Sequence, residues 1–346
     1  MKVSIFGLGY VGTVAAACLA DQGHTVIGVD PNQTKLGLIN AGKAPLVEKD
    51  VGDLIGCAVK NGHLSATDAA REAVLKSDLS IVCVGTPSKQ NGELDLRYVR
   101  AVCEEIGAAI GENDSYHVVV VRSTILPGTM REVVVPTLEK ISGKLAGRDF
   151  GLCHNPEFLR EGTAVYDYHN PPKTVIGEFD KRSGDLLARI YDHLDAPLLR
   201  VPIDAAEMVK CTDNAWHAVK VCFANEIGNI CKALQIDSHQ VMDIFCSDTK
   251  LNLSSYYLKP GFAFGGSCLP KDVRALSYRA RSLDLNLPLM SSVLPSNSQQ
   301  IDRAMQIIQD KSCRKIGLLG FSFKADTDDL RESPVVELIE QLLGKG

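Results

Sequence analysis

A glycine-rich turn near the amino terminus constrains the fold of this chain more than any other feature. The turn, Gly7-Leu8-Gly9-Tyr10-Val11-Gly12, stands between the β-branched run 3–6 and a helical pattern over 13–22. A second strand pattern follows and ends at Asp30. This order of strand, glycine turn, helix, strand and acid predicts a dinucleotide-binding βαβ unit. A glycine turn without a ligand and a signal peptide are the alternatives for the same residues.

Each glycine of the turn has a separate expected task. Gly7 permits the tight turn, Gly9 lets the backbone approach a pyrophosphate, and Gly12 lets the helix pack closely on the strand. The free amides at the helix start would face the phosphates. Asp30 would accept hydrogen bonds from a ribose and repel a 2′-phosphate, which favours NAD over NADP.

The first two hundred residues alternate between strand and helix patterns. Strands are predicted in the apolar runs 3–6, 25–29, 79–84 and 118–121, and further helices over 96–110 and 130–140. Near-continuous apolar runs are typical of parallel strands that are buried on both faces. We therefore expect an α/β fold, with a doubly wound parallel sheet of the Rossmann type over residues 1–203.

The pattern changes near Asp204, where we expect a central, all-helical region over 204–312. One long helix is predicted over about 205–234, and Asp204 with Glu207 has the spacing of a capping box. Near residue 313 the alternation restarts, with a strand predicted over 315–319 and a helix that opens at Ser333-Pro334. A lone strand and helix cannot bury a core, so we expect residues 313–346 to begin a truncated second Rossmann-like domain.

Composition excludes several classes of protein. A length of 346 residues corresponds to roughly 2.3 typical domains. The net charge of −5 gives no basic excess for binding nucleic acid, and no apolar run is long enough for a membrane span. Eleven cysteines without a CxxC pair indicate reduced, mostly buried thiols and a cytoplasmic protein. Eight histidines without HExxH spacing predict no metal site.

Three further motifs carry reactive groups. Glu207, Lys210, Asn214 and His217 share one face of the long helix, which suits an active-site cleft, although a salt-bridged solvent face would also explain the first two. Cys268 follows two glycines and precedes Lys271, a setting that favours a nucleophilic thiol over a buried one. The loop Asn155–Gly162 carries two carboxylates four residues apart, which serve either as a general base or as acids at a helix start.

Together these motifs resemble the nucleotide-sugar 6-dehydrogenases. The resemblance covers the whole chain and rests on the glycine turn, NPEFLREG, the Glu-x-x-Lys-x-x-x-Asn helix, GGSCLPKD, and Phe323-Lys324 with the segment 327–334. It implies an NAD-dependent, four-electron oxidation of the C6 hydroxyl of a nucleotide sugar to a carboxylate, through a thiohemiacetal and a thioester on Cys268. The stretches CVGTPSKQNGELD, Tyr256-Tyr257 and PGFAFGGSCLPKD favour the branch that oxidises GDP-mannose to GDP-mannuronate for an alginate-type polysaccharide. UDP-glucose is the alternative substrate.

The resemblance also implies roles for individual residues. The implied catalytic residues are Cys268, Lys210, Asn214, Glu161, Asp272 and Thr124. The implied cofactor contacts are Gly7, Gly9, Tyr10, Val11, Gly12, Asp30, Lys35, Thr86, Thr124, Lys271 and Arg331. The implied substrate contacts are Glu161, Lys210, Asn214, His217, Asn225, Tyr256, Tyr257, Lys259, Phe262, Gly265 and Lys324. The family further implies a homodimer, or a dimer of dimers, whose subunits complete each other's sites.

Two residues depart from the pattern of the GDP-mannose branch. Lys259 stands where an arginine is expected, and a lysine cannot bind a diphosphate bidentately. Asp326 adds a negative charge near Lys324. Two alternatives of other kinds also remain. A single-step β-hydroxyacid dehydrogenase shares the lysine–asparagine helix but has no use for Cys268, and a non-catalytic NAD-binding module predicts no thiol reactivity.

Overall fold

The computed structural model describes most of the chain. The described residues are 1–87, 94–253, 262–266, 270, 277, 281, 284–311, 315–322, 330 and 332–344. For nine residues of one long helix only the backbone is described: 215, 217, 218, 220–222, 225, 226 and 229. The chain divides into two compact units, Met1–Asn214 and Ala215–Gly346. The domain boundaries predicted from the sequence stay a prediction.

The first unit is built on one eight-stranded sheet. Its strands are β1 (Lys2–Phe6), β2 (Thr25–Val29), β3 (Leu64–Thr67), β4 (Leu79–Val82), β5 (Val118–Val121), β6 (Gly151–His154), β7 (Thr174–Glu178) and β8 (Leu198–Pro202). Their spatial order is β3-β2-β1-β4-β5-β6-β7-β8. All neighbours pair in parallel except β6 and β7, which are antiparallel. The first six strands have the order of a Rossmann sheet, so the predicted fold class is confirmed.

Helices cover both faces of this sheet. They are α1 (Tyr10–Asp21), α2 (Gln33–Asn40), α3 (Val51–Lys60), α4 (Ala70–Leu75), α5 (Arg97–Glu112), α6 (Val135–Ser142, preceded by a π-helical turn, Met130–Val134), α7 (Ala164–His169) and α8 (Lys181–Ala188). One apolar core contains α1, α3 and α8, and the other contains α5, α6 and the π-helical turn. This two-sided burial explains why β4 and β5 are apolar at almost every position.

The strand order reverses between β1 and β4, and this reversal locates the expected ligand site. In open parallel sheets, ligands bind at the carboxyl ends of the strands where the order changes direction. Gly7 follows β1, and the segment 83–87 follows β4. Both segments therefore lie at the edge of the sheet where the fold predicts a ligand.

Several helices follow in the rest of the described chain. They are α9 (Ile203–Ala233), α10 (Ser238–Ser247), α11 (Pro288–Asp310) and α12 (Pro334–Gly344). The boundary between the two compact units falls within α9. The predicted long helix and the helix that begins at Pro334 are both present.

Two local predictions are wrong. Residues 315–320 form no strand with any described residue, because a strand requires a hydrogen-bonded neighbour and none of the described segments pairs with them. The capping box at Asp204 and Glu207 is also absent, since α9 already begins at Ile203. Both carboxylates have partners elsewhere in the fold: Asp204 pairs with Arg131 at 2.9 Å, and Glu207 accepts hydrogen bonds from a neighbouring loop.

Two further features concern the cysteines and the helices of the described residues. All eight described cysteines are free thiols, and five of them are buried. Burial raises the pKa of the Cys18, Cys83 and Cys103 thiols to about 12, so these groups stay protonated at neutral pH. Within the described ranges, no helix combines the length and apolar character that a bilayer crossing requires.

Candidate active site

The glycine turn forms a cradle at the start of α1. Gly7 has a φ of +94°, and a Cβ at this position would lie 2.9 Å from a methyl group of Val84. A Cβ at Gly12 would lie 1.9 Å from the carbonyl oxygen of Gly7, so only glycine permits this approach of helix and turn. Gly9 differs, because a Cβ there would have nothing within 4 Å. The backbone of Gly9 therefore faces open space beside the helix start.

Asp30 lies at the end of β2 and organises the edge of this cradle. Its carboxylate is buried and accepts hydrogen bonds from the backbone amides of Leu8, at 2.8 Å, and Asn32, at 2.9 Å. The Lys35 ammonium lies 3.2 Å from the same carboxylate. Asp30 thus fixes the backbone of the glycine turn and holds the Lys35 ammonium next to it.

A cavity of about 460 Å³ joins these groups at the carboxyl ends of β1, β2 and β4. Gly7, Gly9, Asp30, Lys35 and Gly85 line it. The first turn of α1 contains no acidic residue, and no side chain caps its amides. Free amides, a glycine whose side-chain space is open and a buried carboxylate on the next strand are the groups that an NAD molecule requires. The residues present therefore fit this cofactor.

Thr86 and Thr124 lie together although 38 positions separate them in the sequence. The Thr86 hydroxyl donates a hydrogen bond of 2.7 Å to the carbonyl oxygen of Thr124. The two loops follow the adjacent strands β4 and β5, which explains their proximity. Both side chains are half-buried. The expectation that these threonines share one site is compatible with this contact.

Lys210 of α9 is buried against the loop that follows β6. Its ammonium donates a hydrogen bond of 2.6 Å to the backbone carbonyl of Glu157 and lies 3.0 Å from the Glu157 carboxylate. The Phe158 ring centre is 5.5 Å from the same ammonium, and Lys173 approaches this ring to 4.8 Å. Lys173 in turn pairs with Asp213 at 2.6 Å. A positive charge is thus fixed inside the protein, where charges interact more strongly than in water.

Glu207 ties the same helix to the loop that carries Thr124. Its carboxylate, which is fully buried, accepts hydrogen bonds of 2.8 Å from the amides of Gly128 and Met130. Burial raises the pKa of Glu207. The alternative of a salt-bridged solvent face is therefore wrong, since Glu207 and Lys210 are both buried and have separate partners. The two amides at the end of the loop hold Glu207 and fix the position of α9 one turn before Lys210.

A buried polar network supports the loop after β6. The Arg122 guanidinium donates hydrogen bonds of 2.9 Å to the Asn155 side chain and to the Tyr191 hydroxyl. The Asn155 amide donates to the carbonyl of Val175 at 2.8 Å, and the Tyr191 hydroxyl also contacts Asn155. These bonds link the residues that directly follow β5 and β6 to each other and to β7. They fix the start of the segment that carries Glu157.

The other predicted site residues have various positions. Asn214 and Glu161 are exposed, and Tyr10 and Val11 form the half-buried first turn of α1. His217 and Asn225 lie on α9, where their side chains are not described. Phe262 is 44% exposed. A Cβ at Gly265 would lie 2.3 Å from the carbonyl of Glu332, so the chain passes very close at that point. The remaining predicted residues lie outside the described residues: Cys268, Lys271, Asp272, Tyr256, Tyr257, Lys259, Lys324 and Arg331.

Sequence reasoning missed several partners of the site. Glu157 was assigned to a pair of loop carboxylates, and its ion pair with Lys210 joins positions 53 apart, for which no local signal exists. The contacts that the Phe158 ring makes with Lys173 and Lys210 likewise have no local sequence signal. Arg122 directly follows β5, and its place in a buried network depends on Tyr191, which no motif marks. Residues outside local motifs become visible only when the sheet brings the loops together.

Comparison with other proteins agrees with this geometry. The chain matches the NAD-binding domain of the UDP-glucose/GDP-mannose dehydrogenase family over residues 1–195, the central domain over 204–299 and the UDP-binding domain over 317–346. It is 60% identical to the GDP-mannose 6-dehydrogenase of Pseudomonas aeruginosa, over all of this chain and 79% of that protein. It is 34% identical to a UDP-glucose 6-dehydrogenase of Haloferax volcanii, over all of this chain and 81% of that protein.

A solved structure is also very similar. The crystal structure of a ternary complex of GDP-mannose dehydrogenase from P. aeruginosa superposes with a TM-score of 0.99 at 60% identity, over all of this chain and 79% of that one. The resemblance identified from the motifs is thereby confirmed, as is NAD as the cofactor. These matches argue against both a β-hydroxyacid dehydrogenase and a non-catalytic NAD-binding module. The chain belongs to the UDP-glucose/GDP-mannose dehydrogenase family and is an NAD-dependent oxidoreductase.

Proposed function

We propose that the chain oxidises the C6 hydroxyl of GDP-mannose to a carboxylate and releases GDP-mannuronate. The observation that carries this choice is the gap between 60% identity to a GDP-mannose 6-dehydrogenase and 34% identity to a UDP-glucose 6-dehydrogenase, both over the whole chain. The buried ammonium of Lys210 supports the reaction class, since it offers a fixed positive charge to an oxygen that gains negative charge. GDP-mannuronate would then supply an alginate-type polysaccharide.

The reaction requires two oxidations at one carbon. NAD, when bound, accepts a hydride in each of them. In the first oxidation the C6 hydroxyl loses a hydride and a proton and becomes an aldehyde. The Cys268 thiolate then adds to the aldehyde carbon and forms a thiohemiacetal, which keeps the reactive group on the protein. Loss of a second hydride and a proton gives a thioester, and water cleaves it to the carboxylate and restores the thiol.

The described residues fit supporting roles in this sequence. Lys210 stabilises the oxyanion at C6, and Asn214 donates a second hydrogen bond from one turn further along α9. Glu161, Asp272, or Thr124 with a water, receives the protons. Cys268 is assigned to the nucleophile from its motif, because it lies outside the described residues. The buried thiols Cys18, Cys83 and Cys103 do not compete for this role, since their raised pKa keeps them protonated.

We also propose that the enzyme works in the cytoplasm as a homodimer or a dimer of dimers. Eight free thiols among the described residues suit a reducing compartment. Large apolar side chains on two helices of the second unit support self-association. Trp216 and Val219 of α9 are 42% and 39% exposed, and Ile244 of α10 is 69% exposed. Exposed apolar clusters of this kind are typical of contact surfaces.

Substrate choice is testable by the yield of NADH. The chain is incubated with excess NAD and a limiting amount of either GDP-mannose or UDP-glucose, and absorbance at 340 nm is followed to completion. We expect two NADH for each GDP-mannose and a much smaller rate with UDP-glucose. One NADH for each sugar would refute the four-electron reaction, and faster turnover of UDP-glucose would refute the proposed substrate. A Cys268→Ala variant should stop the second oxidation, because its aldehyde cannot form the thiohemiacetal.

A further inference from the structure

A single carboxylate, that of Glu48, joins two distant parts of the site. The Tyr10 hydroxyl donates a hydrogen bond of 2.6 Å to Glu48 Oε2. The same oxygen accepts the amide of Gly162 at 2.7 Å, and Oε1 accepts the amide of Ala164 at 3.1 Å. Glu48 thus holds residues that are 38, 114 and 116 positions away in the sequence.

The segments on either side of Glu48 belong to different parts of the candidate site. Tyr10 is the first residue of α1 and follows Gly9, whose backbone faces the open space of the NAD cradle. Its hydroxyl is also 3.4 Å from the carbonyl oxygen of Arg160. Gly162 directly follows Glu161, the exposed carboxylate assigned to the sugar and to proton transfer. A restraint on the Tyr10 side chain is therefore transmitted by Glu48 to the loop that carries Glu161.

The charge states of the two side chains keep these hydrogen bonds in one direction. The hydrogen bond from Tyr10 lowers the pKa of Glu48, and the Gly162 and Ala164 amides lower it further. Burial raises the pKa of Tyr10, and the bond to Glu48 adds to this effect. At neutral pH Glu48 is an anion that only accepts, and Tyr10 is a neutral phenol that donates.

We propose that Glu48 is a positioning residue that couples the NAD cradle to the loop 160–164. When NAD occupies the cradle beside Tyr10, the Tyr10–Glu48 bond fixes Glu48, and Glu48 orders the amides of Gly162 and Ala164. Glu161 is thereby held more firmly when cofactor is bound. This inference rests on the proposed function for the use of Glu161 on the sugar, whereas the coupling itself requires NAD alone.

The coupling is testable by hydrogen–deuterium exchange of the peptide that covers residues 159–165, with and without saturating NAD. Three variants separate the contacts. Glu48→Gln retains a single acceptor oxygen where the carboxylate uses both, so it loses an anchor of the loop. Tyr10→Phe removes the link to the cradle and leaves both anchors intact. Glu72→Gln is the matched control, because Glu72 is an exposed acid whose partner, Lys76, lies one helical turn further along the same face.

In the wild-type chain and in Glu72→Gln, NAD should slow exchange of this peptide. Without NAD, exchange should be roughly tenfold faster in Glu48→Gln than in the wild-type chain, since a charged hydrogen bond is lost. Tyr10→Phe should have the wild-type rate without NAD but no slowing with it. Binding of NADH, followed by its fluorescence, establishes saturation in every variant.

Two results would overturn the coupling. One is an equal slowing by NAD in the wild-type chain and in Tyr10→Phe. The other is the absence of any slowing in the wild-type chain. Neither result depends on turnover of a sugar, so a failure of the proposed reaction and a failure of this coupling are distinguishable. A purely structural Glu48 would change the basal exchange in Glu48→Gln but leave the effect of NAD on Tyr10→Phe intact.

Discussion

Among the described residues with a proposed catalytic role, Lys210 is the one whose charge is buried. A lysine is rarely buried unless a partner holds its charge, and here the Glu157 carboxylate and carbonyl both do so. Phe158 covers the ammonium with its ring, which excludes water from one side. A buried pair of this kind contributes little net free energy of folding relative to apolar side chains, whereas the removal of one partner is costly.

Replacement of Lys210 by methionine should lower kcat by about 10²–10³-fold, the usual effect of removing a donor that stabilises an oxyanion. Methionine keeps most of the volume of the lysine stem, so NADH binding should change little. The melting temperature should fall, because Glu157 is left buried without its ion-pair partner. Lys232→Met is the matched control, because Lys232 is an exposed lysine near the end of the same helix. Steady-state NADH production measures the effect. A fall in kcat that the control reproduces would contradict a specific role of Lys210.

At the scale of elements, a buried polar network crosses the edge of the sheet opposite to the site. The Ser80 hydroxyl of β4 contacts His117 Nε2 at 2.7 Å and Ser4 of β1 at 2.7 Å. His117 Nδ1 lies 3.1 Å from the carbonyl oxygen of Ser77. These polar side chains thus join β1, β4 and the residue that directly precedes β5. Burial lowers the pKa of His117 to about 4 from its ordinary value of 6.5.

This low pKa makes the stability of the sheet sensitive to acid. Between pH 6.5 and 4 the unfolded chain binds a proton at His117 and the folded chain does not, so the free energy of unfolding falls as the pH falls. The free energy of unfolding is unaffected by His117 above pH 6.5. It has fallen by about 3 kcal/mol once the pH is below 4. Urea unfolding at several pH values, followed by circular dichroism, measures this slope.

His117→Asn should reduce that slope, because asparagine does not titrate. The slope should not vanish, since burial also lowers the pKa of His154 to about 4. His239→Asn serves as the control, because His239 is exposed. Equal slopes in the wild-type chain and in His117→Asn would exclude His117 as the source of the acid sensitivity.

Elements that depend on a pattern within a few residues were predictable from the sequence. Elements that depend on contacts between distant positions were not. The glycine turn and the strands β1, β2, β4 and β5 follow from spacing within a few residues, and all are present. The capping box at Asp204 failed because α9 begins one residue earlier, at Ile203, and the Asp204 carboxylate pairs instead with Arg131, 73 positions away. The strand expected at 315–319 failed for a related reason, since pairing depends on a neighbour that the apolar pattern of one segment does not specify.

The site divides along the same line. Gly7, Gly9, Gly12 and Asp30 were found because the dinucleotide motif places them close together in sequence and space. Glu48 was missed because it lies in an irregular stretch before α3 and acts through residues 38, 114 and 116 positions away. Side chains that connect loops from different strands have no periodicity, so only the topology of the sheet identifies them.

At the scale of the whole molecule, the second unit raises the question of self-association. Trp216 and Val219 of α9 lie on one side of the helix, three residues apart, and both are substantially exposed. Val241 and Ile244 of α10 have the same spacing and are 36% and 69% exposed. Apolar side chains in contact with water are unfavourable by about 25 cal/mol per Å², so a partner that covers them stabilises the assembly.

A charge at Val219, on the exposed apolar side of α9, should therefore separate the subunits. The wild-type chain should have a solution mass near twice its 37.4 kDa, or four times for a dimer of dimers, when light scattering follows size-exclusion chromatography. Val219→Arg should give a mass near 37.4 kDa, because burying an unpaired guanidinium in the contact is costly. Ile307→Arg on α11 is the matched control, since Ile307 is 62% exposed and lies on a different helix. A wild-type chain that elutes as a monomer would refute self-association, and a Val219→Arg variant with the wild-type mass would place the contact elsewhere. If the subunits complete each other's sites, Val219→Arg should also lose turnover while it still binds NADH, since the cradle belongs to one chain.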